Sequence, residues 1–402
     1  MKRSYFAGCI ALMAGALSAC SPKADSYTID SRIGGLKDGT IVKLISLEGD
    51  DHDELATDTI VNGAFHFEGV CDTVTYCQVS IYGEKQDEDG QKYSAITRTD
   101  LMLENAKFLI ECADVDSVPL SWDMHHSPVE KEHNVTVTGG KAQQEFNEYR
   151  QAMMDAEIAT WNAENEWRRL RYFTKDAPAD SIAYFDSLYV AAEALQNQKA
   201  DAFVEAHPTY SISVYLLQKK AENLFAYTAD ELDAFAAKAA ATPDTCRYAK
   251  LQRTVADNKA FAKGVSFKPF SATTEQGDTV LFDQTMVKPG VYTLIDFWAS
   301  WCGPCRMAIP HVKTLKEYYK DRLTVYSVSL DNSDADWRKA VAEEAMPWPQ
   351  FVADKAQKDV LRSEYRITAI PFLLVINPQG RIECGTFDAN IVNRVLADGI
   401  GE

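Results

Sequence analysis

The sequence is short of positive charge. It sets 41 Lys and Arg against 59 Asp and Glu, a net charge of −18 at pH 7. That balance argues against nucleic-acid binding and against adhesion to anionic lipid by charge alone. The deficit is uneven: from Gly264 onward 15 Lys/Arg face 18 Asp/Glu, leaving 26 against 41 upstream. The acidity therefore belongs to the preceding segments, where it reads as a solvated surface. Internal repeats and low-complexity tracts are missing as well. Upstream of Gly264 there is no glycine-rich phosphate loop, nucleophile triad or metal cluster, and the adjacent His125 and His126 fall short of a ligand set.

What is present suits a folded protein of two or three domains: 402 residues, 46 % hydrophobic and 25 % charged. The first twenty residues read as a targeting segment. Lys2 and Arg3 lead the apolar run YFAGCIALMAGALSA, which is too short to span a bilayer comfortably. It closes on LSAC, the pattern of a bacterial lipoprotein signal in which small residues precede a lipidated cysteine. This predicts a signal peptide over 1–19, lipidation at Cys20 and a polar tether over 20–26. The predicted address is lipid-anchored in the bacterial cell envelope, at the periplasmic face, the outer membrane or the surface. An ordinary cleaved signal is the alternative. Three acyl chains anchor stably where a single one binds only marginally.

Cysteine usage fits an exported, oxidising compartment. Without Cys9 and Cys20 there remain Cys71, Cys77, Cys112, Cys246, Cys302, Cys305 and Cys384, an odd number that leaves at least one free thiol. Along an extended strand Cys71 and Cys77 stand about 20 Å apart, against the roughly 5.5 Å that a disulfide needs between Cα atoms. They cannot bond unless the chain turns between them. Pairing of Cys112 with either stays open, beside buried thiols.

From Tyr27 to about Val137, YTIDSRI, TIVKLIS, AFHFEGV, YCQVSIY, AKFLIEC and NVTVTG alternate in strand fashion between turn residues. They predict an antiparallel β-sandwich over 27–140, with GEKQDEDGQK as a surface loop. The period turns helical near Lys141 and stays so to 263, through Phe146, Tyr149, Met153, Trp161 and Trp167 and a helix stopped by Pro208. Strand and turn return from Gly264, giving a last domain over 264–402.

That domain holds the one stretch with legible chemistry, LIDFWASWCGPCRMAIP. A buried-type strand, VYTLIDF, runs into a helix beginning at CGPC. A helix N-terminus points unpaired N–H groups and positive partial charge at the first sulfur, favouring thiolate over thiol. Arg306 adds a nearby positive charge. Cys302 reads as the exposed attacking sulfur and Cys305, one turn on, as the group that resolves a mixed disulfide. Structural zinc wants four ligands, and no second CxxC or suitable His pair is near. Haem attachment wants a His where Arg306 stands. A peroxiredoxin wants Pro and Thr where Ile295 and Ala299 stand. A dithiol redox pair, with no cofactor and no metal, is the remaining reading.

DFWASWCGPC and TAIPFLLVINPQGRI resemble the thioredoxin superfamily, and more closely the TlpA/ResA-like thiol–disulfide oxidoreductases of bacterial envelopes, across essentially all of 264–402. The resemblance implies a C-terminal α/β thioredoxin-like fold with a cis bond between Ile370 and Pro371 facing the cysteines. It implies a substrate groove lined by Trp301, Gly303, Pro304 and Ile370, and it matches Pro310 to a helix-kinking proline and MPWPQFVADK to an insertion. Trp301 is expected to cover the disulfide face and Trp298 to pack inside. Asp296 falls at the buried acid; desolvation there raises its pKa and suits it to exchange a proton with Cys305. Two positions depart from the pattern: Ala308 replaces a glutamate common in TlpA/ResA members, and Ser327 replaces the lysine that partners the acid in thioredoxin. AFHFEG, VTGGKAQQEFNEY and EAHPTYSISVYLL resemble the domain preceding TlpA-like domains in Bacteroidetes-type lipoproteins.

The function so implied is exchange of dithiol for disulfide with disulfide-containing envelope proteins, the Gly-Pro pair between the cysteines leaning toward a reductant. Electrons come from a membrane donor or another thiol partner. Two other readings are a ligand- or protein-binding envelope lipoprotein whose dithiol is a sensor or regulatory appendage, and a thiol peroxidase. The upstream module spaces the redox head from the membrane and docks the client.

Overall fold

The computed structural model describes residues 25–48, 53–86, 91–121, 127–174 and 177–400. The predicted signal peptide, Cys9, Cys20, most of the tether, and His125 and His126 lie outside the described residues. Among those described, no helix is long and apolar enough to cross a membrane. The chain divides into two compact units, Met1–Ser121 with Asn134–Gln143 and Trp122–His133 with Gln144–Glu402.

The first unit holds eight strands: β1 (Tyr27–Ile33), β2 (Ile41–Ser46), β3 (Glu54–Thr59), β4 (His66–Gly69), β5 (Thr75–Gln86), β6 (Lys92–Leu103), β7 (Lys107–Cys112) and β8 (Val135–Thr138). They form two four-stranded sheets, β4-β1-β7-β8 and β3-β2-β5-β6. Alternate residues of both sheets, among them Ile29, Leu44, Val79, Leu101, Phe108 and Val137, meet in one buried core. Each such side chain removed from water contributes roughly 1.5–3 kcal/mol, which is what holds the sandwich shut. Five of its six ladders are antiparallel and β1–β7 is parallel. The expected antiparallel pairing holds for strands that adjoin in sequence and also for β1–β4 and β2–β5, which do not. It yields for β1–β7, where β2 to β6 intervene and no hairpin dictates direction.

Of the charged segment read as a loop, residues 83–86 and Lys92 are strand. β5 runs to Gln86 and β6 starts at Lys92, with Gly83 opposite Ala95 and Lys85 opposite Tyr93. A two-stranded ribbon extended past its core needs only ladder hydrogen bonds, so its residues need not be apolar. Among the described residues Cys71, Cys77, Cys112, Cys246 and Cys384 form no disulfide. Cys77, Cys112 and Cys384 are buried.

The second unit begins with helices. After the short α1 (Pro128–Glu132) come α2 (Lys141–Arg168), a π-helical turn over Arg169–Phe173, and α3 (Ala179–Ala206). Then follow α4 (Ser211–Glu222), α5 (Ala229–Lys238) and α6 (Thr245–Asn258). Local chemistry sets the later boundaries. Thr228 and Glu231 form a reciprocal capping box on α5, and Asp244 caps the Arg247 N–H of α6 at 3.0 Å.

A seven-stranded sheet follows, in the order β10-β9-β13-β12-β11-β14-β15. Its strands are β9 (Phe270–Thr274), β10 (Thr279–Phe282), β11 (Tyr292–Trp298), β12 (Leu323–Ser329), β13 (Gln350–Val352), β14 (Phe372–Ile376) and β15 (Ile382–Thr386). Four helices interleave with them: α7 (Gly303–Tyr319), α8 (Asp334–Glu344), α9 (Lys355–Tyr365) and α10 (Ala389–Ile400). All seven residues of β11 are buried, as expected of a central strand covered on both faces. Tyr292, Leu294 and Trp298 point into the cluster of α7, α8 and α10, while Ile295 and Phe297 point into the opposite one.

The helical segment packs directly on this sheet. Phe225 joins the second cluster, and a Cβ added to Gly385 of β15 would meet the Phe225 and Phe372 rings at 2.7 Å. Only glycine fits that approach. Arg366 donates to Asn258 Oδ1 at 2.6 Å, and Arg394 pairs with Glu193 at 3.1 Å.

Candidate active site

Strand β11 delivers the chain to the redox loop, and α7 starts immediately after it. Cys302 is the N-cap of α7, and its sulfur is bonded to that of Cys305, with the Cα atoms 5.3 Å apart. The Cys305 N–H, one of the helix's unpaired amides, donates to Cys302 Sγ at 3.1 Å. This is the arrangement in which a released thiolate is stabilised by a fixed donor and the helix dipole.

Across the disulfide, the Ile370–Pro371 bond is cis, and Cys302 Sγ stands 3.7 Å from the Ile370 carbonyl. Two expectations need correcting here. Cys302 is only 5 % exposed, with the α7 turn and the Ile370 carbonyl against its sulfur. Arg306 does not lend a free charge to the sulfur. Its guanidinium binds Glu343 at 2.8 Å and Glu344 at 2.6 Å, so two carboxylates on α8 compensate it.

Around the disulfide Gly303 and Pro304 are exposed, and Ile370 and Pro371 are half-buried. Trp301 is 68 % exposed and offers its indole to solvent at the rim, whereas Trp298 is fully buried. Met307 and Phe387, which the sequence did not single out, are also exposed apolar groups of this domain. Cys384 is buried, and burial with the neighbouring Glu383 charge pushes its thiol up to about 12, so it does not compete as a nucleophile.

Asp296 lies on the α7 side of β11 by strand parity, between Leu294 and Trp298. It is 4 % exposed, and burial pushes its carboxyl from 3.8 up to about 7 while a hydrogen bond from Ser327 pulls the other way. Ser327 is its register partner on β12 and donates to Oδ2 at 2.9 Å. Trp348 Nε1 in turn donates to Ser327 Oγ at 2.9 Å. With Ala308 and Ser327 in the places of the glutamate and the lysine, the donor that Asp296 has is the Ser327 hydroxyl.

A second buried acid, Asp331, was missed. Its carboxylate accepts the Ser300 N–H at 2.9 Å, the Ser300 O–H at 2.6 Å and the Ser329 O–H at 2.6 Å. It ties the loop before Cys302 to the end of β12. The signal was present as the aspartate closing LTVYSVSLD, but nothing local marks its partner 31 residues earlier.

A dithiol–disulfide pair at a helix N-terminus, facing a cis-proline and backed by a buried acid on an α/β sheet, defines a thioredoxin-like disulfide oxidoreductase. Residues 290–382 match a family described as thioredoxin-like, and residues 27–146 match a domain of unknown function, DUF4369. Thioredoxin 1 of Synechococcus elongatus is 28 % identical over 102 residues, 25 % of this chain and 72 % of its own length. A thiol:disulfide interchange protein DsbE homolog of Paracoccus denitrificans is 33 % identical over 109 residues, 27 % of this chain and 57 % of its own. The solved thioredoxin domain of a thiol-disulfide oxidoreductase from Bacteroides vulgatus is 27 % identical, with a TM-score of 0.31, covering 34 % of this chain and 96 % of that one. Residues 290–382 are thus thioredoxin-like, and this part of the chain is similar to a DsbE homolog and to a ResA protein.

Proposed function

We propose that this protein is a TlpA/ResA-like reductant of disulfides in client proteins of the bacterial cell envelope. The observation that carries the reading is the Cys302–Cys305 disulfide at the tip of α7, with the Ile370 carbonyl 3.7 Å from the leading sulfur. In the dithiol form, the Cys302 thiolate attacks one sulfur of a client disulfide, and the client's first thiolate leaves. Asp296 takes the proton of the Cys305 thiol; its pKa of about 7 lets it both accept and release a proton near neutrality. The Cys305 thiolate attacks Cys302 Sγ in the mixed disulfide and expels the second client thiolate. Two electrons have passed to the client, and a membrane electron donor or other thiol partner returns them. The cis peptide presents backbone to the client strand, with Trp301, Gly303, Pro304 and Ile370 lining the groove.

Lipidation of Cys20 anchors the chain at the periplasmic face, the outer membrane or the surface. The DUF4369-matching module spaces the redox head from that membrane and docks the client. The segment read as 141–263 packs on the redox domain, so the docking test is a chain beginning at Gln144. Client reduction as fast as by the full chain removes the docking role.

The central test measures insulin reduction and the potential of the Cys302–Cys305 couple against glutathione. A potential below that of the glutathione couple and turnover that Cys302→Ser reduces to background are the expected results. A strongly oxidising couple would reverse the direction, and a wild-type protein inert toward every protein disulfide ends the reading.

A further inference from the structure

The residue that replaces the thioredoxin lysine is not a gap but part of a directed chain of hydrogen bonds. Trp348 Nε1 donates to Ser327 Oγ at 2.9 Å, and Ser327 donates its one proton to Asp296 Oδ2 at 2.9 Å. All three side chains are buried, Ser327 completely. The backbone fastens the same pair of segments, since the Ser327 N–H donates to the Pro349 carbonyl at 3.2 Å. On the far side of the hydroxyl stands Met346 Sδ, 3.9 Å away and a weak acceptor.

We propose that Ser327 and Trp348 are positioning residues that let Asp296 cycle between its two protonation states without rearrangement of the buried layer. This rests on the reading above of Asp296 as the proton acceptor for Cys305. Trp348 can only donate, so it pins the serine oxygen and leaves the serine proton as the single movable part. With the carboxylate ionised, that proton points to Oδ2. With the carboxyl protonated, the acid's own O–H is donated to Ser327 Oγ and the serine proton turns toward Met346 Sδ. A lysine would favour the ionised form alone. A hydroxyl with one fixed donor and two alternative acceptors serves both forms.

No other charge on the packed elements performs this task. On α7, Arg306 is held by Glu343 and Glu344, Lys313 by the Glu344 carbonyl, and Lys316 by the carbonyls of Lys320 and Leu323. His311 of α7 faces Arg171, Arg394 of α10 faces Glu193, and β14 sets Leu373 opposite Asp296. Asp331 is occupied by Ser300 and Ser329. Glu317 and Tyr318 of α7 are exposed and the Tyr319 O–H donates to Asn393 Oδ1 at 3.0 Å, which leaves the cysteines of the redox pair for the acid to serve.

The test follows the Asp296 carboxyl directly by carbon-13 NMR of the oxidised full chain, its signal assigned by loss in Asp296→Asn. Ser327→Ala should raise its titration midpoint by about one pH unit, since a donor to the charged form is lost. Trp348→Phe, which keeps an aromatic ring in the apolar layer, should raise it by less, and Ser327→Thr should restore the wild-type midpoint. The pH profile of Cys302 exchange with a small aromatic disulfide should move with the midpoint in each variant. Midpoints unchanged in both Ser327→Ala and Trp348→Phe would overturn the proposal. So would a midpoint shift of Ser327→Thr as large as that of Ser327→Ala, because the hydroxyl would then be irrelevant. Midpoints that shift while the wild-type chain reduces no protein disulfide would leave the positioning role standing and remove the proposed function instead.

Discussion

The two faces of the seven-stranded sheet differ in how many polar groups they bury. One buries rings: Phe270, Phe282, Phe297, Tyr326, Phe351, Tyr365 and Phe372 pack together, with Phe270 and Phe282 stacked at 4.7 Å. The other, under α7, α8 and α10, interrupts its apolar layer with Asp296, Ser327, Ser329 and Asp331. β11 alternates between them, giving Phe297 to one side and Asp296 to the other. Both faces bury large apolar side chains, Trp298, Trp337, Trp348 and Tyr319 among them on the second. The polar face admits a buried acid and, through Asp331, a brace on the loop before Cys302. A buried acid costs free energy whenever it ionises, and a protein keeps one where its chemistry needs it.

The contrast can be broken first on the aromatic side. Phe282→Ala should cost about 3–5 kcal/mol in a denaturant or thermal unfolding measurement while leaving the potential of the cysteine pair unchanged. A changed potential would mean the two faces are not independent. Asp296→Asn should do the reverse, slowing disulfide exchange and stabilising the fold. A carboxyl raised from 3.8 to about 7 in the fold contributes its full stability below pH 3.8 and loses it as pH rises through 7. The variant should therefore gain on the order of 4 kcal/mol over wild type at pH 8 and less than half of that at pH 5, read as Tm across that range. An equal gain at both pH values would show that ionisation is not its source. The smallest effect belongs to Arg306→Gln. Its pairs with Glu343 and Glu344 are about a third exposed, so its loss should cost no more than about 0.5 kcal/mol. Alkylation of Cys302 against pH should be nearly unmoved, because the stabilising group is the Cys305 amide. A rise in the Cys302 pKa by a full unit would return Arg306 to the site.

The strand pattern of the first unit was readable where apolar residues alternate, as in TIVKLIS and AKFLIEC. It was silent for β3, ELATDT, an edge strand with no buried residue, and for β6, where KYSAIT extends beyond the core. The redox centre was readable almost entirely, because a CxxC at a strand-to-helix junction brings its own amide donor with it. Ser327 could be placed opposite Asp296 from strand alignment alone. What it does there could not, since Trp348 arrives from a loop 21 residues further on. Asp331 and the Arg306 pairs were lost for the same reason.

The local spacing of two cysteines, a helix start and a run of buried-type residues already determined that this protein has a CxxC pair at the start of a helix that follows a central strand. These depend on neighbours a few residues apart, and the backbone alone brings them together. The folded sheet decided the rest: which acid stands behind the sulfurs, what hydrogen bonds it receives, which charges are cancelled, and how much of Cys302 reaches the groove. Those are properties of strand register and helix packing, which join residues tens of positions apart and leave no mark on either partner's local sequence.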